Sequence, residues 1–189
     1  MNIAISMEMT RHLRQTWHAA LNHEWYDFLS GHDITPFCCH GAQPRTDQFD
    51  LVILTGGQDL PDLPNLNPYP LRDQFEQQLV ANCLHTHTPV VGVCRGQHFL
   101  NLTQGGTNRR QDPPYYNVKI QLPAFDVVCH HTVCIDQLAP GFEILQQDSA
   151  GIIELVRHPH NRQLGVGWHP ERAVNAHTRS YILELRGSL

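Results

Sequence analysis

A cysteine framed by glycines, Gly92-Val93-Cys94-Arg95-Gly96, is the feature of this chain best suited to chemistry. It follows a short β-branched run, Val90, Val91 and Val93, that opens at Pro89 and has the character of a strand buried on both faces. An amphipathic run begins at once near Gln97. Strand, tight turn and helix in that order make a nucleophile elbow with cysteine in the place usually held by serine. The glycines suit a turn that strains its central residue and crowds its neighbours. The helix start behind Cys94 lends partial positive charge, which favours thiolate over thiol. A buried cysteine at an ordinary strand end would carry much of the same pattern, since free Cys is among the most buried residue types. A partner decides between the two.

That partner lies 75 residues downstream, where Leu164-Gly165-Val166-Gly167-Trp168 runs into His169-Pro170-Glu171. In extended geometry, side chains two residues apart leave a strand on the same face. Glu171 is then expected to accept a hydrogen bond from one ring nitrogen of His169 while the other nitrogen faces the thiol. Nucleophile, base and orienting carboxylate are the parts of a hydrolytic triad.

The elements that must position them alternate in type. Asn2–Ser6 reads as a first parallel strand, with Met7–Thr10 as the loop at its carboxyl end, where sites form in open α/β sheets. Trp17–Leu29 has helical spacing, and Ile34–Phe37 suggests a short strand. Phe49–Leu54 is another buried strand, running into Thr55-Gly56-Gly57-Gln58-Asp59, whose paired glycines allow close approach of the backbone to a ligand. Leu60–Pro70 holds four prolines and reads as a stiffened loop fit to wall a pocket. Leu71–Leu84 reads as a helix with Phe75, Leu79, Val80 and Cys83 inward, and Arg72, Asp73 and Glu76 as a solvated charge cluster near its start. Gly106–Tyr116 is polar and reads as irregular. Strands are expected at Val118–Leu122, Asp126–Cys129, Val133–Ile135, Phe142–Leu145 and Ile152–Val156, and one short helix closes the chain after Glu171.

Composition bounds the possibilities. A chain of 189 residues supports one core and is short for two ordinary domains, so residues 1–189 are expected to form a single domain. No apolar run approaches the ~18 residues of a membrane span, and the first residues lack the basic and apolar segments of a secretion signal. A net charge of −5 without a Lys/Arg cluster gives no electrostatic basis for a nucleic-acid partner. Six cysteines without any C-x-x-C pair read as reduced thiols in a cytoplasm. The 14 histidines include the pairs His85/His87, His130/His131 and His158/His160, but none has a third and fourth ligand at metal-site spacing, so no metal is expected.

Gly-Val-Cys-Arg-Gly at Cys94, with Gly-Trp-His-Pro-Glu at His169, resembles the class I glutamine amidotransferase superfamily. Cys94-Arg95-Gly96, with Asn101 and then Gly105-Gly106-Thr107, is most similar to its γ-glutamyl hydrolase branch. Ile5-Ser6, the Thr55–Leu60 loop and the Trp-His-x-Glu-Arg ending look most like the γ-glutamyl-CDP-amidate hydrolases, which act in making phosphoramidate-modified bacterial capsules. The resemblance implies a flavodoxin-like three-layer α/β sandwich with a mostly parallel central sheet. It implies attack by Cys94 on a γ-glutamyl amide, with His169 as base and Glu171 as its orienter. The backbone N–H groups of Gly57 and Arg95 would form the oxyanion hole, and Gly56, His98 and His131 would contact substrate. No cofactor is implied. A glutaminase subunit feeding ammonia to a separate synthetase is the alternative. Two departures put plain glutamine in doubt as substrate: His98 stands where the family has glutamine, and Thr132 stands where a glutamine is common in the segment after His130-His131. A histidine at position 98 would change charge near neutral pH.

Overall fold

The computed structural model describes residues 1–11, 16–60, 63, 69–122, 126–172, 179, 180 and 182–184. In chain order its elements are β1 (Asn2–Ser6), β2 (Glu8–Arg11), β3 (Trp17–Ala20), α1 (Glu24–Phe28), β4 (Asp33–Phe37) and β5 (Leu51–Leu54). Then come α2 (Pro70–Thr86), β6 (Val90–Val93), α3 (Arg95–Thr103), β7 (Thr107–Gln121), β8 (Asp126–Gln137), β9 (Glu143–Gln147), β10 (Ile153–His158) and β11 (Gln163–Val166). Seven strands form one sheet in the order β4-β1-β5-β6-β11-β10-β9. Every pairing from β4 across to β11 is parallel, and β10 and β9 add an antiparallel edge. This mostly parallel sheet with helices on its faces is the expected α/β three-layer fold.

The two-residue period of each strand divides the core. Ile3, Ile5, Leu51, Ile53, Val91 and Val93 face one side, where Trp25, Phe28 and Leu29 of the α1 segment cover them. Ala4, Val52, Leu54 and Val90 face the other, against Phe75, Leu79, Val80 and Cys83 of α2 and Phe99 and Leu100 of α3. A strand buried on both faces needs apolar residues at consecutive positions, and β5 and β6 supply them. Pro70 opens α2, where its missing N–H costs nothing, and His87 closes it in the left-handed conformation. Pro36 is tolerated in β4 because that strand is an edge.

Three expectations from sequence are corrected. Residues 8–11 form β2, paired antiparallel with β3 over 17–20, so the expected loop at Met7–Thr10 and the start of the expected helix at Trp17–Leu29 together form a two-stranded pair. Cross-strand hydrogen bonding there overrides helical spacing, and helix remains only at α1. Gly106–Tyr116 is largely the long strand β7, paired along β8; its polarity reflects a strand with little apolar cover. Arg72, Asp73 and Glu76 are not a solvated cluster, for Arg72 and Glu76 are fully buried. Most of the proline-rich loop (61, 62 and 64–68) and most of the closing segment (173–178, 181 and 185–189) lie outside the described residues. No described helix is long and apolar enough to cross a membrane.

Candidate active site

Cys94 ends β6 and caps α3 with φ 52° and ψ −107°, a left-handed backbone that a non-glycine residue adopts only under constraint. The constraint is visible on both sides. A Cβ on Gly92 would stand 2.4 Å from the Gly96 carbonyl oxygen, and one on Gly96 would stand 2.4 Å from that of Leu54. The glycines therefore let α3 start hard against β5 and β6, which lifts Cys94 out of the sheet edge. Its own N–H donates to Val166 O at 2.7 Å, tying the elbow to the neighbouring strand β11.

β11 delivers the partner. Three residues beyond Val166, His169 donates from Nδ1 to Glu171 Oε1 at 2.7 Å, and both side chains are buried. The two meet because of a turn and not an extended strand: Arg172 N–H donates to His169 O at 3.1 Å, with Pro170 at the position where its fixed φ starts such a turn. Burial alone would raise the Cys94 thiol, yet the charge of His169 and a hydrogen bond to it, helped by His131, hold the thiol below its ordinary value. Burial alone would lower His169, yet the Cys94 thiolate and Glu171 push it up to about 10. Both shifts run in the direction that favours a thiolate beside an imidazolium.

The glycine loop after β5 closes on this pair. A Cβ on Gly56 would lie 2.8 Å from His169 Cε1 and 3.5 Å from Cys94 Cβ, so the bare backbone packs against base and nucleophile together. Gly57 adopts φ +106°, and a side chain there would strike Glu8. Arg95 is the first residue of α3, where backbone N–H groups have no partner within the helix. A cavity of about 200 Å³ opens over Cys94, walled by Gly57, Arg95, His98, His130 and His131.

Of the expected site residues, Gly57, Cys94, Arg95, His98 and His131 line this cavity, and Gly56, His169 and Glu171 line a smaller one that shares Gly57 with it. His98 differs from expectation in its charge. Burial, then the neighbouring charge of His131, lower its pKa to about 3, so it stays neutral through the physiological range. Its ring meets that of His131 edge-on at 6.2 Å. His131 in turn bonds through Nε2 to Glu154 Oε1 at 3.2 Å. Burial opposes its charge, but the bond to Glu154 and the charge of that carboxylate raise its pKa.

Sequence reasoning missed Glu154, and the signal was there: a lone acid inside the apolar run Ile152–Val156. It also missed Glu8, a partly buried carboxylate raised by desolvation against the pull of Arg72, Arg172 and His169. Cys129, His131 and Glu154 bring their ligand atoms within 4.8 Å of one another, the one grouping of three among the described residues that could hold a metal ion. Cys129 has no exposure, and burial and then Glu154 keep its thiol well above the ordinary range. Of the two Cys-His-Glu groupings named here among the described residues, the one at Cys94 has the lowered thiol pKa and the cavity.

The Peptidase C26 family model matches residues 4–114 and 110–171. The chain belongs to the Peptidase C26 family. Among relatives, a Mycobacterium tuberculosis protein named as a glutamine amidotransferase is 30% identical over 162 residues, 68% of this chain and 53% of its own length. The pyocyanine-specific anthranilate synthase component 2 of Pseudomonas aeruginosa is 29% identical over 80% of this chain and 84% of its own. The γ-glutamyl-CDP-amidate hydrolase of Campylobacter jejuni is 29% identical over 64% of this chain and 62% of its own. This C26 chain thus spans only about half the length of the mycobacterial relative. Its fold matches a glutamine amidotransferase of Thermotoga maritima with TM-score 0.70 and 15% identity, covering 98% of this chain and 84% of that one.

Proposed function

We propose that this chain is a cysteine-dependent hydrolase of γ-glutamyl amides. The observation that carries the reading is the grouping of Cys94 at the elbow with His169, His169 braced by Glu171 at 2.7 Å and Cys94 opening on the cavity. The thiolate attacks the δ-carbonyl carbon, and the carbonyl electrons move onto an oxyanion received by the N–H groups of Gly57 and Arg95. As the tetrahedral adduct collapses, the C–N bond breaks and His169 gives its proton to the leaving nitrogen. The resulting γ-glutamyl thioester is hydrolysed by a water that His169 deprotonates. The C–S bond breaks, glutamate leaves, and the thiolate–imidazolium pair returns. Glu171 holds the imidazole tautomer and stabilises the imidazolium.

Neutral His98, and His131 with its pKa raised by Glu154, support binding of the polar glutamyl group on the cavity wall, with Gly56 and Gly57 letting the substrate approach the backbone. Similarity to the Campylobacter jejuni protein supports γ-glutamyl-CDP-amidate as one leaving-group class to test. A second reading, a glutaminase subunit serving a separate synthetase, has support in the similarity to anthranilate synthase component 2 over most of both chains. The six free cysteines suit a reducing compartment such as the cytoplasm.

The test is glutamate release from a panel of γ-glutamyl amides, including glutamine and γ-glutamyl nucleotide amidates, beside a Cys94→Ala control. Turnover of a non-glutamine amide that vanishes in the control supports the hydrolase and names its leaving group. Weak turnover of glutamine alone moves the weight to the subunit reading. No turnover by folded protein refutes an independently active site.

A further inference from the structure

Behind the site lies a set of buried charges that the reaction does not use directly. Arg72 is 1% exposed, and each nitrogen of its guanidinium has an acceptor. Nε donates to Glu76 Oε1 at 2.9 Å, and Nη2 donates to Thr55 O at 2.9 Å and Thr55 Oγ1 at 3.0 Å. Nη1 donates to Gly56 O at 2.8 Å and Gln58 Oε1 at 2.9 Å. The Gly56 carbonyl and the Gly57 N–H belong to one planar peptide unit. A peptide whose oxygen accepts from a cation in a low-dielectric setting has a more polarised N–H, because linked hydrogen bonds reinforce one another.

The other half of the site is held by the same carboxylate. Glu76 Oε2 accepts from Arg95 Nη1 at 2.5 Å, and Arg95 Nη2 pairs with Asp73. Ser6 Oγ also donates to Glu76 Oε1 at 2.7 Å. Glu76 thus links two guanidiniums, one gripping peptide 56–57 and the other belonging to the residue that starts α3.

We propose that Arg72 is a positioning residue that fixes and polarises the Gly56–Gly57 peptide, and that Glu76 joins it to Arg95 so that two backbone N–H groups converge on one oxyanion. The kinetic part of this rests on the hydrolase reading; the structural part does not. Two glycines in succession, the second at φ +106°, leave the peptide between them with little side-chain hindrance to rotation. The restraint must come from outside the loop, and the Nη1 bond to Gly56 O supplies it. The position of the charges along α2 agrees. Arg72 and Glu76 continue the buried stripe of Leu79 and Cys83 toward the site, where apolar residues would have filled the space without a desolvation cost.

The test uses the full chain with Arg72→Met and Arg72→Lys, each checked for folding by circular dichroism. Three readouts are compared with wild type: the Gly57 amide signal in a ¹⁵N-resolved NMR spectrum, kcat and KM on the best γ-glutamyl amide, and the rate of Cys94 alkylation by iodoacetamide. Alkylation forms a C–S bond as iodide leaves a saturated carbon, so it develops no oxyanion. The Gly57 amide proton is expected to move upfield in Arg72→Met, and kcat to fall roughly 10- to 100-fold with little change in KM, by analogy with loss of an oxyanion-hole donor. Alkylation is expected to stay near the wild-type rate. Arg72→Lys keeps the charge but not the fork, so it restores part of kcat; if Arg72→Met does not fold, Arg72→Lys decides alone. An unmoved Gly57 signal in the folded variant overturns the proposal, as does alkylation falling in step with hydrolysis. If wild type cleaves no γ-glutamyl amide, the hydrolase reading fails, and the Gly57 signal still decides whether Arg72 positions this peptide.

Discussion

Glu171 Oε1 sits 2.7 Å from His169 Nδ1 inside a turn that Pro170 initiates, and both side chains are buried. A charge so placed holds the imidazole in one tautomer and stabilises its protonated form. Replacing Glu171 by Gln keeps the volume and removes the charge. Glutamate release is expected to fall on the order of 10²-fold or more, by the logic of the triad orienter, while circular dichroism stays unchanged. A variant with near-wild-type kcat would show that the pair is a structural contact only.

The pairing of Cys94 with His169 has a pH signature. Thiolate is the reactive form, so a lowered thiol pKa moves the rise in alkylation rate to lower pH. In wild type, iodoacetamide should alkylate Cys94 with an inflection below the ordinary thiol value of 9.0. In His169→Ala the attraction is gone and burial is left to act, so the inflection should move above that value. An inflection that stays put in the variant would contradict the ion pair.

Gly56 and Gly96 should fail in different ways. Gly56→Ala places a methyl 2.8 Å from His169 Cε1, so it should displace the base and depress kcat while the fold survives. Gly96→Ala drives a Cβ to 2.4 Å from the Leu54 carbonyl oxygen, a backbone atom that cannot swing aside. Its cost should be about 3 kcal/mol in urea unfolding, in the upper range for overpacking. Equal stability of the two variants would mean that the elbow tolerates more space than its geometry allows.

Glu76→Gln leaves Arg72 and Arg95 buried with half of their compensation removed. Breaking one member of a buried charge network costs about 3–5 kcal/mol, and urea unfolding should register a loss of that order. A loss of a few tenths would imply that the two guanidiniums find other partners.

His131 and Glu154 add a pH-dependent contribution of known sign. The folded pKa of His131 is raised above the ordinary 6.5. The stability that its charge lends is full below 6.5 and fades as pH climbs through the raised value, because across that window the folded state holds the extra proton. The stability gap between wild type and His131→Gln should therefore be widest near pH 6 and should narrow toward alkaline pH. A gap that widens with pH would mean that His131 is neutral when folded.

Much of this site can be read in the chain because its chemistry is written locally. The elbow needs glycines beside Cys94, and the base and its orienter lie two residues apart, although a turn and not the expected extended strand brings them together. The buried strands were equally plain, since β5 and β6 are apolar at every described position. What escaped depends on partners distant in sequence. Arg72 and Glu76 look solvated until Gly56, Ser6 and Arg95 are brought to them from other elements. The strand β7 looks irregular because its cover comes from β8 and not from its own apolar pattern. His98 looks like a titrating group until burial beside His131 is known.

Nucleophile and base follow the ends of adjacent strands, with Val93 paired to Val166 and the Cys94 N–H bonded to Val166 O. Backbone bonds within the sheet, together with the Gly167 N–H bond to Glu154 O at 2.8 Å, therefore set the spacing of thiol and imidazole. The stretch of chain between them includes β7 and β8, and β8 carries His130 and His131 to the cavity wall. Exchanging this hairpin would therefore reshape the cavity wall and, through His131, also change the charge felt by the Cys94 thiol. The reacting pair is thus anchored at the carboxyl edge of the main sheet, while a separate two-stranded sheet walls the cavity beside it.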